Sequence, residues 1–333
     1  MKPRHPRIVL AVAFSLTALS LLAASSDRVR LLPKFTPHQT LRYQLETRLT
    51  ISGTTTTPID NPEGASLLKQ NVSMLVRLDI LDAEPSSGTA TGRVRIRATY
   101  EKTNATSETD AYDPQAAALE DQFTRLEGHS MEFTIEPDGK LSNITGVEEF
   151  LSNPSAAQSV RSWMAGLSSG AAFPREGIVI GQKWSNQQPL TGTPLGGLLS
   201  RTESSYLRNE PCHVAAPNPA ASPNADGETC AVILTRFEIL HHASREGDTP
   251  DDYRRNGLRT SGTWTGKGES LDSISLTSGL VINSTQSSSQ EMDFRIESAT
   301  KGTRILYKGS VHSETDVTLL RSTPADPPSP PKP

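Results

Sequence analysis

The feature that most constrains this chain is an alternation of apolar and polar residues with a period of two, returning in stretch after stretch. It is cleanest at Val94, Ile96, Ala98 and Tyr100, with Arg93, Arg95 and Arg97 interleaved. Successive side chains of a strand point to opposite faces, so this spacing buries one face and leaves three guanidinium groups in water. Leu41, Tyr43, Leu45, Leu49 and Ile51 repeat it, as do Val72, Met74, Val76, Leu78 and Ile80. Further candidate strands are 131–135, 179–184, 201–207, 231–240, 261–271, 280–285, 292–296, 304–307 and 311–319. Parallel strands covered on both faces read as unbroken apolar runs, so the alternation predicts antiparallel pairing.

Turn and cap chemistry fills in the rest. Glu136, Pro137, Asp138 and Gly139 separate 131–135 from 141–144, which predicts a hairpin. Residues 53–64 and 83–92 have loop composition. Asp113 and Pro114 read as N-cap and first helical residue, with Leu119, Phe123 and Leu126 as a stripe that Gly128 ends. Asn153 and Pro154 start a second helix carrying Ala157, Val160, Trp163 and Leu167. The expected fold is mainly β: a curved antiparallel sheet or half-barrel, with two or three short amphipathic helices covering its concave face.

The amino-terminal residues supply an address. Lys2, Arg4 and Arg7 precede an apolar run, 8–22, that ends in Ala23, Ala24, Ser25 and Ser26, the order of a secretory signal peptide cut before Asp27. The expected organisation is a leader at 1–26, one β-rich domain at 27–322 and a disordered proline-rich tail at 323–333. Secreted or periplasmic location follows. An uncleaved membrane anchor is the alternative, since about 17 apolar residues nearly reach spanning length. The leader carries three of 33 Lys and Arg and none of 37 Asp and Glu, so the mature chain is acidic, which argues against nucleic acid as a partner. After signal removal no stretch is long and apolar enough to span a membrane as a helix. Cys212 and Cys230 flank a segment rich in Pro, Asn and Gly; in an oxidising compartment they read as a disulfide closing a loop.

Candidate chemistry is thin. Gly166, Ser168 and Gly170 match a nucleophile-elbow spacing, but a helix precedes them where a strand is required. His241 and His242 are neighbours on a strand and face opposite ways, which disfavours a shared metal. Asp248, Asp251 and Asp252 lack EF-hand spacing and read as a solvated loop. The sequons at Asn71, Asn104, Asn143 and Asn283 are assigned no role. Trp163, Trp184 and Trp264 are isolated from one another, so they read as core and not as a stacking platform. No catalytic residue, metal or cofactor is expected.

The leader, the strand around Tyr43, the hairpin 131–144 running into Gly146, the helical segment to Leu167 and the passage from Phe173 and Pro174 to Gly181 and Trp184 resemble an uncharacterised family of bacterial exported β-rich proteins. The architecture is also similar to half-barrel lipoprotein carriers of the bacterial envelope, a likeness of fold alone. It implies a non-catalytic envelope protein with an apolar pocket for a lipid or other hydrophobic small molecule. Val76, Leu78, Val94, Ile96, Phe123 and Trp163 are the expected lining. The alternatives are a structural or protein-interaction role with a fully packed core and, more remotely, a hydrolase.

Overall fold

The computed structural model describes residues 28–56, 66–84, 92–111, 114–137, 141–146, 173–174, 176–190, 193–213, 227–241, 249–298 and 304–320. Eleven strands form one antiparallel sheet: β1 (Thr40–Thr56), β2 (Leu67–Ala83), β3 (Val94–Thr109), β4 (Ser130–Ile135), β5 (Leu141–Thr145), β6 (Lys183–Pro189), β7 (Leu198–Pro211), β8 (Thr229–His241), β9 (Leu258–Ser275), β10 (Val281–Ser298) and β11 (Arg304–Leu320). Their order is β5-β4-β3-β2-β1-β11-β10-β9-β8-β7-β6. Each strand pairs with its neighbour in sequence except β5 and β6, which are the sheet's edges among the described residues, and β1 also pairs with β11, joining the two ends of the described chain. The sheet is therefore an up-and-down meander that stops one pairing short of a barrel.

Register lays the side chains out in rows. Leu45 lies beside Val317 and Met74, Thr47 beside Thr315 and Val72, Leu49 beside Ser313 and Gln70. At one end, the base, the inner rows are apolar and packed. Leu41, Tyr43, Leu45, Val76, Leu78, Ile80, Val94, Ile96, Ala98, Tyr100, Met131, Phe133 and Ile135 form one cluster with Cys212, Cys230, Leu280, Ile282 and Leu319. Those last five come from the opposite half of the sheet or its connections, so the base curls until its two halves meet. The register shifts at 75/76, 80/82, 132/134, 206/208 and 281/283 fall in both halves of the sheet, all toward its base. Bulges of this kind bend a strand and raise its twist.

The outer face matches the alternation. Arg95 and Arg97 both reach Glu132, at 2.9 and 2.7 Å, and Arg42 and Arg77 share Glu101, at 2.9 and 3.3 Å. The arginines hold the Glu132 carboxyl below its ordinary range, Arg97 most and Arg95 next.

Helix α1 (Pro114–Leu126) starts and stops where its caps predict, with Gly128 at φ +78° just beyond it. It packs on β3: Leu126 is buried, Phe123 lies against the base cluster, and Thr103 Oγ1 donates to the Phe123 carbonyl at 2.7 Å. The second helix expected around 154–167 lies outside the described residues. A short helix α2 (Asp251–Arg255) stands where a loop was expected, its Asp251 and Asp252 paired with Arg254 and Arg255, and it buries none of its residues.

Much of the cover at the base comes from an extended strap, residues 28–39, that no helical or strand signal announces. Val29 and Ile178 exchange backbone hydrogen bonds at 2.8 Å, Lys34 N–H donates to Ser278 O at 2.7 Å, and His38 N–H donates to Ile80 O at 2.9 Å. Leu31 is 1% exposed among Ile178, Tyr206, Ala231, Ile233 and Ile274. Gly279, at φ +67°, admits the strap: a Cβ there would sit 2.0 Å from the Leu32 carbonyl oxygen.

Candidate functional site

The strands are long. Seventeen residues of β1 extend about 56 Å, and Thr56 lies about 36 Å beyond Leu45, where the packed base ends. Above the base the inner face becomes an open trough with two unlike walls.

One wall, on β1, β2 and β11, carries an apolar patch set among Thr47, Gln70, Ser313 and Thr315. Leu49, Ile51, Leu68 and Val311 all lie on the inner face, and each keeps part of its surface exposed. The other wall, on β7 to β10, carries hydroxyls and amides, Thr202, Ser204, Thr235, Ser270, Ser284, Gln286 and Ser288, interrupted by Phe237 and by Ile239, which packs with Leu195 and Leu198 against Trp264 and Phe294. Neighbouring hydroxyls pair across strands, Ser204 with Thr235 at 2.9 Å and Ser288 with Ser313 at 2.7 Å. Asp272 accepts hydrogen bonds from Ser284 at 2.5 Å and Ser270 at 3.0 Å; burial nevertheless raises its pKa, outweighing both.

At the far end three rings stand in a row on β9, β10 and β11. Trp264 and Phe294 lie 6.5 Å apart at 11°, and Phe294 and Tyr307 lie 5.2 Å apart at 28°. Trp264 Nε1 donates to Gln290 Oε1 at 3.0 Å. Gly262 faces Phe294 and leaves space for its ring, since a Cβ there would come within 2.7 Å of Phe294 Cβ. The isolation of Trp264 in sequence hid this row, because its members come from three strands joined only by register. Trp184 instead meets Phe173 at 5.8 Å, beside the Leu31 cluster.

The structure brings together Val76, Leu78, Val94 and Ile96, which are at most 3% exposed and packed against one another's strands at the base. Phe123 lies against that cluster from α1. Trp163 lies outside the described residues, as do Ser168 with its flanking glycines, His242 and Asp248. Cys212 and Cys230 form a disulfide with Cα atoms 5.0 Å apart, and the segment it was expected to close, 214–226, is outside the described residues. Among the described residues no group of three or more His, Cys, Asp and Glu is placed to hold a metal, and no helix is long and apolar enough to cross a membrane. A cleft of about 290 Å³ lies near the β6 edge, lined by Lys183, Trp184, Ser185, Glu203, Ser204 and Arg236 among others.

No family model matches the chain, and no curated protein matches it. Among solved structures it is similar to lipovitellin, described with its lipid–protein interactions, at 11% identity and a TM-score of 0.44 over 89% of this chain. The chain spans only 27% of that protein. DynF of the dynemicin biosynthesis pathway of Micromonospora chersina aligns at 8% identity and a TM-score of 0.20, over 90% of this chain and 88% of that one. OpdQ of Pseudomonas aeruginosa aligns at 7% and 0.23, over 85% of this chain and all of that one. These likenesses are of β-rich shape and carry no argument about function.

Proposed function

We propose that this is an exported, non-catalytic binding protein of the bacterial envelope that holds a lipid or other hydrophobic ligand in the trough of its half-barrel. The observation that carries the reading is the apolar patch of Leu49, Ile51, Leu68 and Val311, which lines the inner face and is left partly uncovered. In this reading Val76, Leu78, Val94 and Ile96, with Phe123, would be the packed floor beneath the trough, the first four too buried to touch the ligand themselves. Burying about ten methylenes there would gain roughly 8 kcal/mol, which exceeds the lower range of association costs, about 4 kcal/mol. The disulfide supports an oxidising compartment, and the reading takes the leader 1–26 to be removed from a single domain at 27–322.

A structural or protein-interaction role is the second reading, favoured by how completely the floor residues are filled in by their own neighbours. Native mass spectrometry of protein recovered from its envelope, followed by organic extraction, separates the two. The binding reading expects a retained hydrophobic ligand. An empty protein that also fails to take up a fluorescent fatty-acyl probe leaves the structural role standing.

A further inference from the structure

Resting on the binding reading, we infer that the trough selects an uncharged amphiphile, such as a long-chain alcohol, ester or acylglycerol, and receives its polar group at Gln70 and Ser107. Gln70 is only 5% exposed, yet its Nε2 has no hydrogen-bond partner. Ser107 stands directly opposite on β3, and its buried Oγ also has none. Cross-strand neighbours of this kind lie about 5 Å apart. Buried polar groups are almost always paired, so two unpaired ones side by side mark a place that a bound polar group completes. An amide Nε2 donates, and a hydroxyl donates or accepts; together they suit a carbonyl or hydroxyl oxygen.

The charge of the ligand follows from the walls. On the described inner face of the sheet the register places no Lys, Arg or Glu; Asp272 on β9 is its single carboxyl and His241, at the end of β8 in the opposite half of the sheet from Gln70, its single imidazole. A carboxylate or phosphate brought to Gln70 would lose its hydration and meet no Lys or Arg from the sheet. Leu68 and Val72 flank Gln70 on the same face of β2, and Leu49 lies across from it on β1, so an acyl chain has apolar surface beside its polar end.

The test uses the full mature chain and displacement of a fluorescent apolar probe by 1-monopalmitoylglycerol, palmitate at pH 8, or hexadecane. Monopalmitoylglycerol should bind at least about tenfold more tightly than palmitate. Gln70→Leu should weaken monopalmitoylglycerol about tenfold, as the loss of one hydrogen bond predicts, while hexadecane uptake stays unchanged. Ser107→Ala should act in the same direction. Thermal melting of Gln70→Leu, unchanged or raised, shows that the variant folds. Palmitate binding as tightly as the neutral lipid overturns the inference, and so does full monopalmitoylglycerol affinity in Gln70→Leu, which would assign those atoms to ordered water. Uptake of hexadecane without preference for the neutral amphiphile overturns the inference alone. No uptake of any probe overturns the binding reading with it.

Discussion

Truncating Leu31 to alanine should cost about 3 kcal/mol, although the residue lies in neither a helix nor a strand. The side chain is 1% exposed and sits against Ile178, Tyr206, Ala231, Ile233 and Ile274. Losing three carbons removes roughly 2.4 kcal/mol of transfer energy at about 0.8 kcal/mol each. The cavity left behind adds to this, because β7, β8 and β9 are fixed in the sheet and cannot collapse far, which gives about 3 kcal/mol. With unfolding entropy near 2.1 cal/mol/K per residue over some 300 residues, Tm should fall by roughly 5 °C. Urea denaturation and calorimetry measure both quantities, with Ile180→Ala as the control, since Ile180 is 54% exposed and should change stability by under about 0.5 kcal/mol. Amide exchange adds position: the Val29, Lys34 and Ile178 N–H groups, which tie the strap down, should exchange faster in Leu31→Ala while those of β2 and β3 do not. A loss below about 1 kcal/mol, or accelerated exchange spread evenly over the sheet, would refute the view that the strap is a packed part of the base.

Three further outcomes follow from single contacts. Replacing Cys212 and Cys230 by serine should cost about 3 kcal/mol, the chain-entropy value for a separation of 18 residues; equal urea midpoints with and without the bond would count against it. Tyr43→Phe should lose about 1 kcal/mol, because the Tyr43 hydroxyl donates to the Val281 carbonyl at 3.1 Å. Tyr100→Phe should be neutral or stabilising, because its buried hydroxyl has no partner, and the reverse ranking in a melting experiment would contradict that. Asp272 has a pKa raised by burial, so the folded state holds its proton more tightly than the unfolded one and stability falls as pH climbs above the ordinary aspartate value of about 3.9. Asp272→Asn should therefore match the wild type near pH 3 and exceed it at pH 7; a constant difference across that range would show that the carboxyl is not the cause.

The strands that could be read from the residues are those whose inner face is buried. Along Val94, Ile96, Ala98 and Tyr100 the apolar face reaches the core and the arginine face reaches water, so each residue reports its own surroundings. The same argument located α1 from Pro114 to Leu126, where local cap chemistry decides both ends. Alternation failed where both faces are polar. Residues 280–285 and 292–296 read as two strands, yet β10 runs unbroken from Val281 to Ser298 through Ser287, Ser288 and Ser289. Likewise 304–307 and 311–319 are one strand, β11, continuous through Gly309. Hydrogen-bonded neighbours on both sides hold these segments extended whatever their side chains prefer. The aromatic row and the Gln70 and Ser107 pair were invisible for a related reason, since register alone sets those residues side by side.

Local chemistry thus carried the class of fold, the hairpin, the first helix and the chemical sense of pairing Cys212 with Cys230, because periodicity, turn residues and cysteine spacing act over a few residues to a few dozen. The pairing of β1 with β11, the sheet edges at β5 and β6, the strap across the base and the two-walled trough belong to the folded chain. Each joins segments distant in the chain, as far apart as Arg42 and Leu320 are. A strand's own alternation says which face is buried but not which strand lies beside it or what covers it; those follow only when every pairing competes at once.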